Sequence, residues 1–294
     1  MTLSSNNGPA RVVWLNGRFL PLHQAAVSPM DRGFLYGDGV FETMRAQEGI
    51  VLYLEDHLER LHRSLEELRI PVDLSLDWKR ILIELLERNA LLNTIAVVKI
   101  VVSRGTCPGP GLPSPELPTI CVSAQEYHLP DEAIYRNGWR LKVFTEGFSP
   151  PLARHKTLNY LYFCMARQSA LDAGADEALV LDPSGSITET SAGSLLARTQ
   201  GKWWTPASPY QLSGTTLRQL STLLHNEGNP VEVRQASLED LFSAQTIWIL
   251  NSLMLIMPVF MAEGRPVPDC GAEEASRLRR ELVACRLHLD YPVI

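Results

Sequence analysis

The spacing of hydrophobic residues in the first half of the chain predicts short strands and helices. From Val12 to Phe19 apolar and polar residues alternate around Asn16-Gly17, which predicts two strands joined by a tight turn. Further on, leucines recur at spacings of four and three residues, at Leu54, Leu58, Leu61, Leu65 and Leu68. That period predicts a helix with one apolar stripe, and Pro71 is expected to end it.

The same reasoning predicts the elements of the rest of the chain. Helices are expected over 78–92, 159–173, 217–224 and 273–289, and strands over 96–103, 119–124, 141–145, 178–181 and 194–197. The apolar run 246–262 is interrupted by Asn251, Ser252 and Pro258 and is too short to cross a bilayer. We therefore expect two buried strands joined by a turn in that run.

These elements predict an α+β protein of two domains. A small N-terminal domain is expected over 1–125, a connection over 126–137 and a larger domain over 138–294. Residues 104–118 are rich in proline and glycine, which predicts a long loop without secondary structure of its own. A loop of that length is suspected of covering a site.

Composition narrows the class of protein. The net charge of −6 offers no general attraction to nucleic acid or to an anionic membrane, so neither is expected as a partner. Five scattered cysteines without a CxxC pair are typical of reduced thiols, and we expect neither a metal site nor a disulfide framework. The polar first ten residues lack the apolar core of an export signal, so a cytoplasmic location is expected.

Two segments carry the residues with the clearest chemistry. The first is RHKTLNYL, from Arg154 to Leu161, and the second is DEALVLDPSGSITETSAGSLL, from Asp176 to Leu196. Lys156 and Glu189 form the candidate pair. A lysine can form a Schiff base when it is deprotonated, and a carboxylate can keep a heteroaromatic nitrogen protonated so that the ring accepts electrons.

Four further motifs occur in a recognisable order along the chain. They are DRGFLYGDGVFETMR (31–45), HLERL (57–61), SGTTLRQL (213–220) and LNSLMLIMPV (250–259). With the two segments above, the chain resembles the class IV, fold-type IV pyridoxal phosphate family, which includes branched-chain aminotransferases, D-amino acid aminotransferases and 4-amino-4-deoxychorismate lyases. Six motifs in collinear order are a specific signal.

The resemblance implies a two-domain fold-type IV enzyme with a small α/β domain, a larger β-rich domain and pyridoxal 5'-phosphate as cofactor. It implies that Lys156 is catalytic and anchors the cofactor, that Glu189 faces the pyridine nitrogen and that Arg60 holds the phosphate. The further residues implied for cofactor binding are Tyr160, Thr190, Ser191, Gly214, Thr215 and Thr216. For the phosphate, arginine geometry and the amides of a helix start suit an anion.

Each of these assignments has a structural alternative. Lys156 could be a surface lysine and Glu189 a turn carboxylate, while Arg60 could be a solvated neighbour of the leucine stripe. The hydroxyls of Thr190 and Ser191 could cap a turn. Tyr160 could be a packed helix aromatic.

The chain also departs from the family pattern at three places. Leu217 precedes Arg218, where relatives usually place arginine one residue nearer the glycine; Thr190 stands where glycine is common; and Ser194 replaces a usual asparagine. The first of these departures leaves the amides that would bind the phosphate undetermined.

The expected reaction is the conversion of 4-amino-4-deoxychorismate into 4-aminobenzoate and pyruvate, a step of folate precursor synthesis. NSLMLIMPV and DEALVLD resemble the lyases, and Thr43 matches a threonine that they are thought to use near the leaving group. The loop carries Gly109 and Gly111 where D-amino acid aminotransferases place an arginine and a histidine. A lyase-type arginine turn is absent from it.

Two alternatives remain open at this point. One is an aminotransferase acting on D-amino acids or branched-chain amino acids, with Tyr36, Phe41, Arg45, Asn251 and Ser252 lining the substrate pocket. The other is a cofactor-binding or regulatory protein without catalysis, which the joint presence of Lys156, Glu189 and Arg60 disfavours. Besides a small-molecule amine substrate, the resemblance implies a homodimer in which the loop 104–118 covers part of the partner's site.

Overall fold

The computed structural model describes residues 11–73, 75–115 and 117–290, so the first ten residues and the expectation placed on them lie outside the described residues. The described chain divides into two compact units. Unit 1 comprises 1–54 and 61–128, and unit 2 comprises 55–60 and 129–294. Residues 55–60 thus belong with the second half of the chain, which contiguous domain boundaries did not anticipate.

Unit 1 is built on an antiparallel sheet of six strands in the order β2-β1-β6-β5-β3-β4. The strands are β1 (Val12–Leu15), β2 (Arg18–Pro21), β3 (Gly39–Gln47), β4 (Ile50–Val51), β5 (Ile95–Ser103) and β6 (Thr119–Glu126). Its helices are α1 (Arg32–Tyr36), α2 (Leu54–Glu67), which begins in unit 1 and crosses 55–60, and α3 (Trp78–Arg88).

The local predictions for unit 1 are confirmed apart from one helix end. Asn16 and Gly17 have φ of 47° and 90°, as a tight hairpin between β1 and β2 requires. The α3 helix ends at Arg88 and not at residue 92. The Asn89 side chain donates to the carbonyl of Leu85 at 2.8 Å and to that of Val12 at 3.0 Å, which ends the helix and ties it to β1.

The long loop of unit 1 is held by two arginines. Arg104 is fully buried, and its guanidinium donates to Asp38 at 2.7 Å and to the carbonyl of Pro113 at 3.1 Å. Arg32 also donates to Asp38 and binds the carbonyls of Gly109 and Gly111 at 3.1 and 2.9 Å. The loop, apart from Glu116, which lies outside the described residues, is therefore supported within its own unit.

Unit 2 contains a mixed sheet in the order β12-β11-β10-β13-β14-β7-β8-β9, with β15 on β14. The strands are β7 (Trp139–Val143), β8 (Glu177–Leu181), β9 (Ile187–Thr190), β10 (Ser194–Thr199), β11 (Lys202–Pro206), β12 (Val231–Arg234), β13 (Thr246–Asn251), β14 (Leu255–Ala262) and β15 (Arg265–Pro266). The pairs β11/β12, β14/β7 and β7/β8 are parallel and the others antiparallel.

Five helices belong to the later part of unit 2: α4 (Glu132–Asn137), α5 (Leu161–Asp172), α6 (Thr215–Asn226), α7 (Leu238–Phe242) and α8 (Ala272–Asp290). Helix α4 lies in the predicted connection, and its Tyr135 is buried in the core of unit 2. Helix α5 packs on β8 through Phe163, Ala166 and Ala170, since small alanines let the helix approach the sheet closely. The run 246–262 forms two buried antiparallel strands, as predicted.

Candidate active site

Residues 55–60 lie against the start of α6 and are joined to it by charged contacts. Arg218 forms ion pairs with Asp56 and with Glu59, the latter at 2.9 Å, and Gln219 donates to Asp56. Arg218 therefore clamps the first turns of α2 to α6. This contact explains the position of the arginine one residue later than in relatives: in this chain its side chain serves the helix pair.

Arg60 ends this segment and points to the start of α6. Its side chain is buried, and Nη1 donates to the carbonyl of Ser213 at 2.7 Å. Gly214 is the N-cap of α6, and a Cβ there would collide with Oγ of Ser194. Thr215 and Thr216 follow, both buried, in a first turn without acidic residues. A buried guanidinium beside first-turn amides suits a phosphate.

Three polar side chains from separate segments meet beside this helix start. Nε2 of His57 lies 3.4 Å from Oγ1 of Thr215 and 3.3 Å from Oγ of Ser252, and the two hydroxyl oxygens are 3.2 Å apart. His57 is fully buried. Ser252, predicted as a substrate-pocket residue, thus lies with the helix start predicted to bind phosphate. His57 was quoted within HLERL but received no role from the sequence.

Glu189 is buried on β9, and burial raises its pKa to about 8. The N–H of Leu212, which donates to Oε2 at 3.3 Å, and the charges of Lys156 and Arg60 act in the opposite direction. A carboxyl group in this setting is stabilised in its charged form when a cation lies next to it. The surface-turn alternative for Glu189 does not fit this burial.

Lys156 lies between a short 3-10 turn (Pro151–Arg154) and α5, and it is half-buried. Its Nζ is 5.4 Å from the ring centroid of Tyr160. The Tyr160 hydroxyl donates to the carbonyl of Ser191 at 2.8 Å, and burial, followed by the charge of Glu189, raises the Tyr160 pKa. Lys156, Tyr160 and Glu189 are thus brought together in unit 2.

The hydroxyls of Thr190 and Ser191 donate within the turn that follows β9. Thr190 Oγ1 donates to the carbonyl of Gly193 at 2.9 Å, and Ser191 Oγ donates to Glu177. This is the turn-capping arrangement that the sequence left open. Their assignment to the cofactor stays a prediction.

Glu177 was missed by the sequence reasoning. It is fully buried at the start of β8 and accepts bonds from Ser191 and from Arg167, the latter at 2.5 Å. Burial raises its pKa, and Arg167 and Ser191 oppose that rise. The available signal was a carboxylate directly before the apolar run of DEALVLD. Through Ser191, Glu177 supports the turn whose carbonyl holds Tyr160.

Asn251 ends β13 and uses its whole amide in the turn to β14. Oδ1 accepts the N–H groups of Leu253 and Met254, both at 3.0 Å, and Nδ2 donates to the carbonyl of Ala192 at 3.2 Å. The side chain therefore shapes the NSLM turn. Its assignment to the substrate pocket stays a prediction.

The remaining predicted pocket residues lie in unit 1. Phe41, Thr43 and Arg45 share one face of β3, because alternate residues of a strand point to the same side. Lys99, opposite Thr43 on β5, has its Nζ 4.7 Å from the ring centroid of Phe41. Tyr36 is exposed on α1. The structure brings the three β3 residues together, and their assignment to the substrate stays a prediction.

No group of metal-ligating side chains occurs among the described residues. Over the same part of the chain, every helix is too short or too polar to cross a bilayer.

Residues 39–260 match the amino-transferase class IV family. The chain belongs to this family. It is 33% identical over 280 residues to a putative branched-chain-amino-acid aminotransferase of Methanocaldococcus jannaschii, covering 92% of this chain and 94% of that protein. It is 31% identical over 252 residues to the aminodeoxychorismate lyase of Vibrio harveyi, covering 84% and 89%.

Among solved structures, a bacterial-type branched-chain amino acid aminotransferase with pyridoxamine 5'-phosphate, from the source abbreviated T.th., matches with a TM-score of 0.83 and 26% identity, covering 93% of each chain. The fold is that of the fold-type IV enzymes, and the family's cofactor is pyridoxal phosphate. The residues of unit 2 fit it. Arg60 and the first turn of α6 suit its phosphate, Glu189 its ring nitrogen and Lys156 its aldehyde carbon.

Proposed function

We propose that this class IV enzyme is a 4-amino-4-deoxychorismate lyase that forms 4-aminobenzoate and pyruvate. The observation that carries the proposal is the NSLM turn, which depends on the amide of Asn251 for its shape. Branched-chain enzymes usually have a turn of small residues here, and the lyases resemble this chain instead. The 31% identity to the Vibrio harveyi lyase supports the same assignment.

The loop 104–118 argues against an enzyme of D-amino acids. Gly109 and Gly111 have φ of 101° and 70°, and Arg32 holds their carbonyls. Neither position carries the charged side chain that would bind a substrate carboxylate in the D-amino acid enzymes. A loop that presents backbone at these positions leaves room for a ring-shaped substrate.

The bound cofactor supplies an electron sink for the electron pair that is left when the amine-bearing carbon loses its proton. In the proposed reaction Lys156 removes this proton and, as an acid, donates it when the ether bond to the enolpyruvyl group breaks. Glu189 keeps the charge that the electron sink requires, and formation of the aromatic ring drives release. Thr43 is proposed to hydrogen-bond near the leaving group.

A second candidate function is amino transfer to or from branched-chain amino acids. The identity of 33% to the Methanocaldococcus jannaschii protein favours it, and the same lysine and cofactor serve both reactions. A transferase needs a second substrate, a 2-oxo acid, to complete its cycle. A lyase needs none.

The test is incubation of the purified, cofactor-loaded protein with 4-amino-4-deoxychorismate, followed by chromatography for 4-aminobenzoate and an assay for pyruvate. We expect equal amounts of both products without any added 2-oxo acid, and none with the Lys156→Ala variant. In parallel, leucine with 2-oxoglutarate should give no glutamate. Rapid glutamate formation together with absence of 4-aminobenzoate would replace the lyase by the aminotransferase.

A further inference from the structure

His57 belongs to none of the roles assigned so far, although it lies among the residues that suit the cofactor phosphate. It is one helical turn before Arg60, so the two side chains lie on the same side of α2. Arg60 binds the carbonyl of Ser213, and His57 contacts the hydroxyl of Thr215, the first residue of α6. Both side chains therefore reach the same helix start.

The three contacts of His57, Thr215 and Ser252 form a closed triangle with sides of 3.4, 3.2 and 3.3 Å. Each hydroxyl owns one proton, and Nε2 is either a donor or an acceptor. If Nε2 lacks a proton, one hydroxyl must donate to it, since a buried acceptor without a partner is costly. If Nε2 carries the proton, both hydroxyl protons are available to another acceptor.

We propose that His57 is a positioning residue that carries its proton on Nε2 and thereby turns the hydroxyl protons of Thr215 and Ser252 toward the cofactor phosphate. A phosphate offers acceptor oxygens and no strong donor when ionised, so the hydroxyls must donate to it. The proposal concerns cofactor retention and holds for either reaction considered above. Failure of the lyase test would leave it unaffected.

A histidine that only ties α2, α6 and the β13–β14 turn together would give a different result. Its loss would lower the stability of the protein but would not distinguish ligands with and without a phosphate. The comparison of pyridoxal 5'-phosphate with pyridoxal separates the two roles. Both compounds carry the aldehyde and the ring nitrogen, and one of them lacks the phosphate.

The experiment measures the Kd of each compound by absorbance titration of the cofactor-free protein. For His57→Leu we expect about tenfold weaker binding of pyridoxal phosphate, the loss of about one charge-assisted hydrogen bond, with unchanged binding of pyridoxal. His57→Gln places an amide N–H near the position of Nε2 and should recover most of the affinity. His62→Leu, a histidine on the same helix outside 55–60, is the matched control and should match the wild type.

A double-mutant cycle tests the route of the effect. In a Thr215→Val, Ser252→Ala background, His57→Leu should cause no further loss of pyridoxal phosphate affinity, because no hydroxyl remains to be oriented. In ¹⁵N-histidine-labelled protein loaded with the cofactor, the His57 Nε2 should show a bonded proton. Equal weakening of both compounds by His57→Leu, an undiminished effect in the double background, or a proton-free Nε2 would each overturn the proposal.

Discussion

Replacing Glu189 by glutamine should change the pH dependence of stability in the cofactor-free protein. The folded protein keeps a proton on Glu189 up to about pH 8, whereas the ordinary pKa of the group is 4.5. Burial causes the rise, against the N–H of Leu212 and the charges of Lys156 and Arg60. Stability from this group is therefore complete below pH 4.5 and is lost as the pH rises to 8.

The magnitude follows from the size of that rise. Across this window the folded state binds one proton more than the unfolded state, so the free energy of unfolding falls by about 1.4 kcal/mol per pH unit. From pH 4.5 to 8 the loss is at most about 5 kcal/mol. Glu189→Gln cannot ionise and should escape it, so the variant should become more stable than the wild type as the pH rises.

Urea unfolding of both cofactor-free proteins at half-unit steps from about pH 5 to about pH 9 measures the difference. Glu232→Gln, an exposed glutamate on β12, is the matched control and should follow the wild type. A difference between wild type and Glu189→Gln that stays constant over this range would refute the reasoning, since Glu189 would then not titrate in it. With cofactor bound, the order should reverse, because the ring nitrogen needs the carboxylate.

Further outcomes are expected from the same site and surfaces. Glu189→Gln should retain cofactor but lose about 100-fold or more in kcat, and normal rates with cofactor loss would contradict its role. Lys156→Ala should lose turnover with an unchanged circular dichroism spectrum; turnover without added amine would contradict it. Phe34, 77% exposed on α1, should on change to Asp convert the proposed homodimer to a monomer in light scattering, which an unaltered mass would disprove. Gly109→Arg with Gly111→His should shift relative kcat/KM toward D-amino acids, and an unchanged ratio would show that the loop does not line the site.

The sequence by itself determined the local elements and the family. The Asn16-Gly17 hairpin, the leucine stripe of α2 and the two strands of 246–262 depend on turn chemistry and on periods that neighbouring residues carry. Lys156 and Glu189 were found because six motifs occur in order. Both lie in unit 2, where the charge of Lys156 acts on Glu189.

Tertiary structure decided what depends on partners far apart in the chain. The Arg218 ion pairs that bring 55–60 into unit 2 join residues about 160 positions apart, and the His57 triangle draws on three such segments. The end of α3 likewise depends on a bond from Asn89 to β1. Burial of Glu177 follows from the packing of β8, which no local period encodes. Hydrogen bonds and desolvation act through space, so the sequence shows the side chains but not which of them meet.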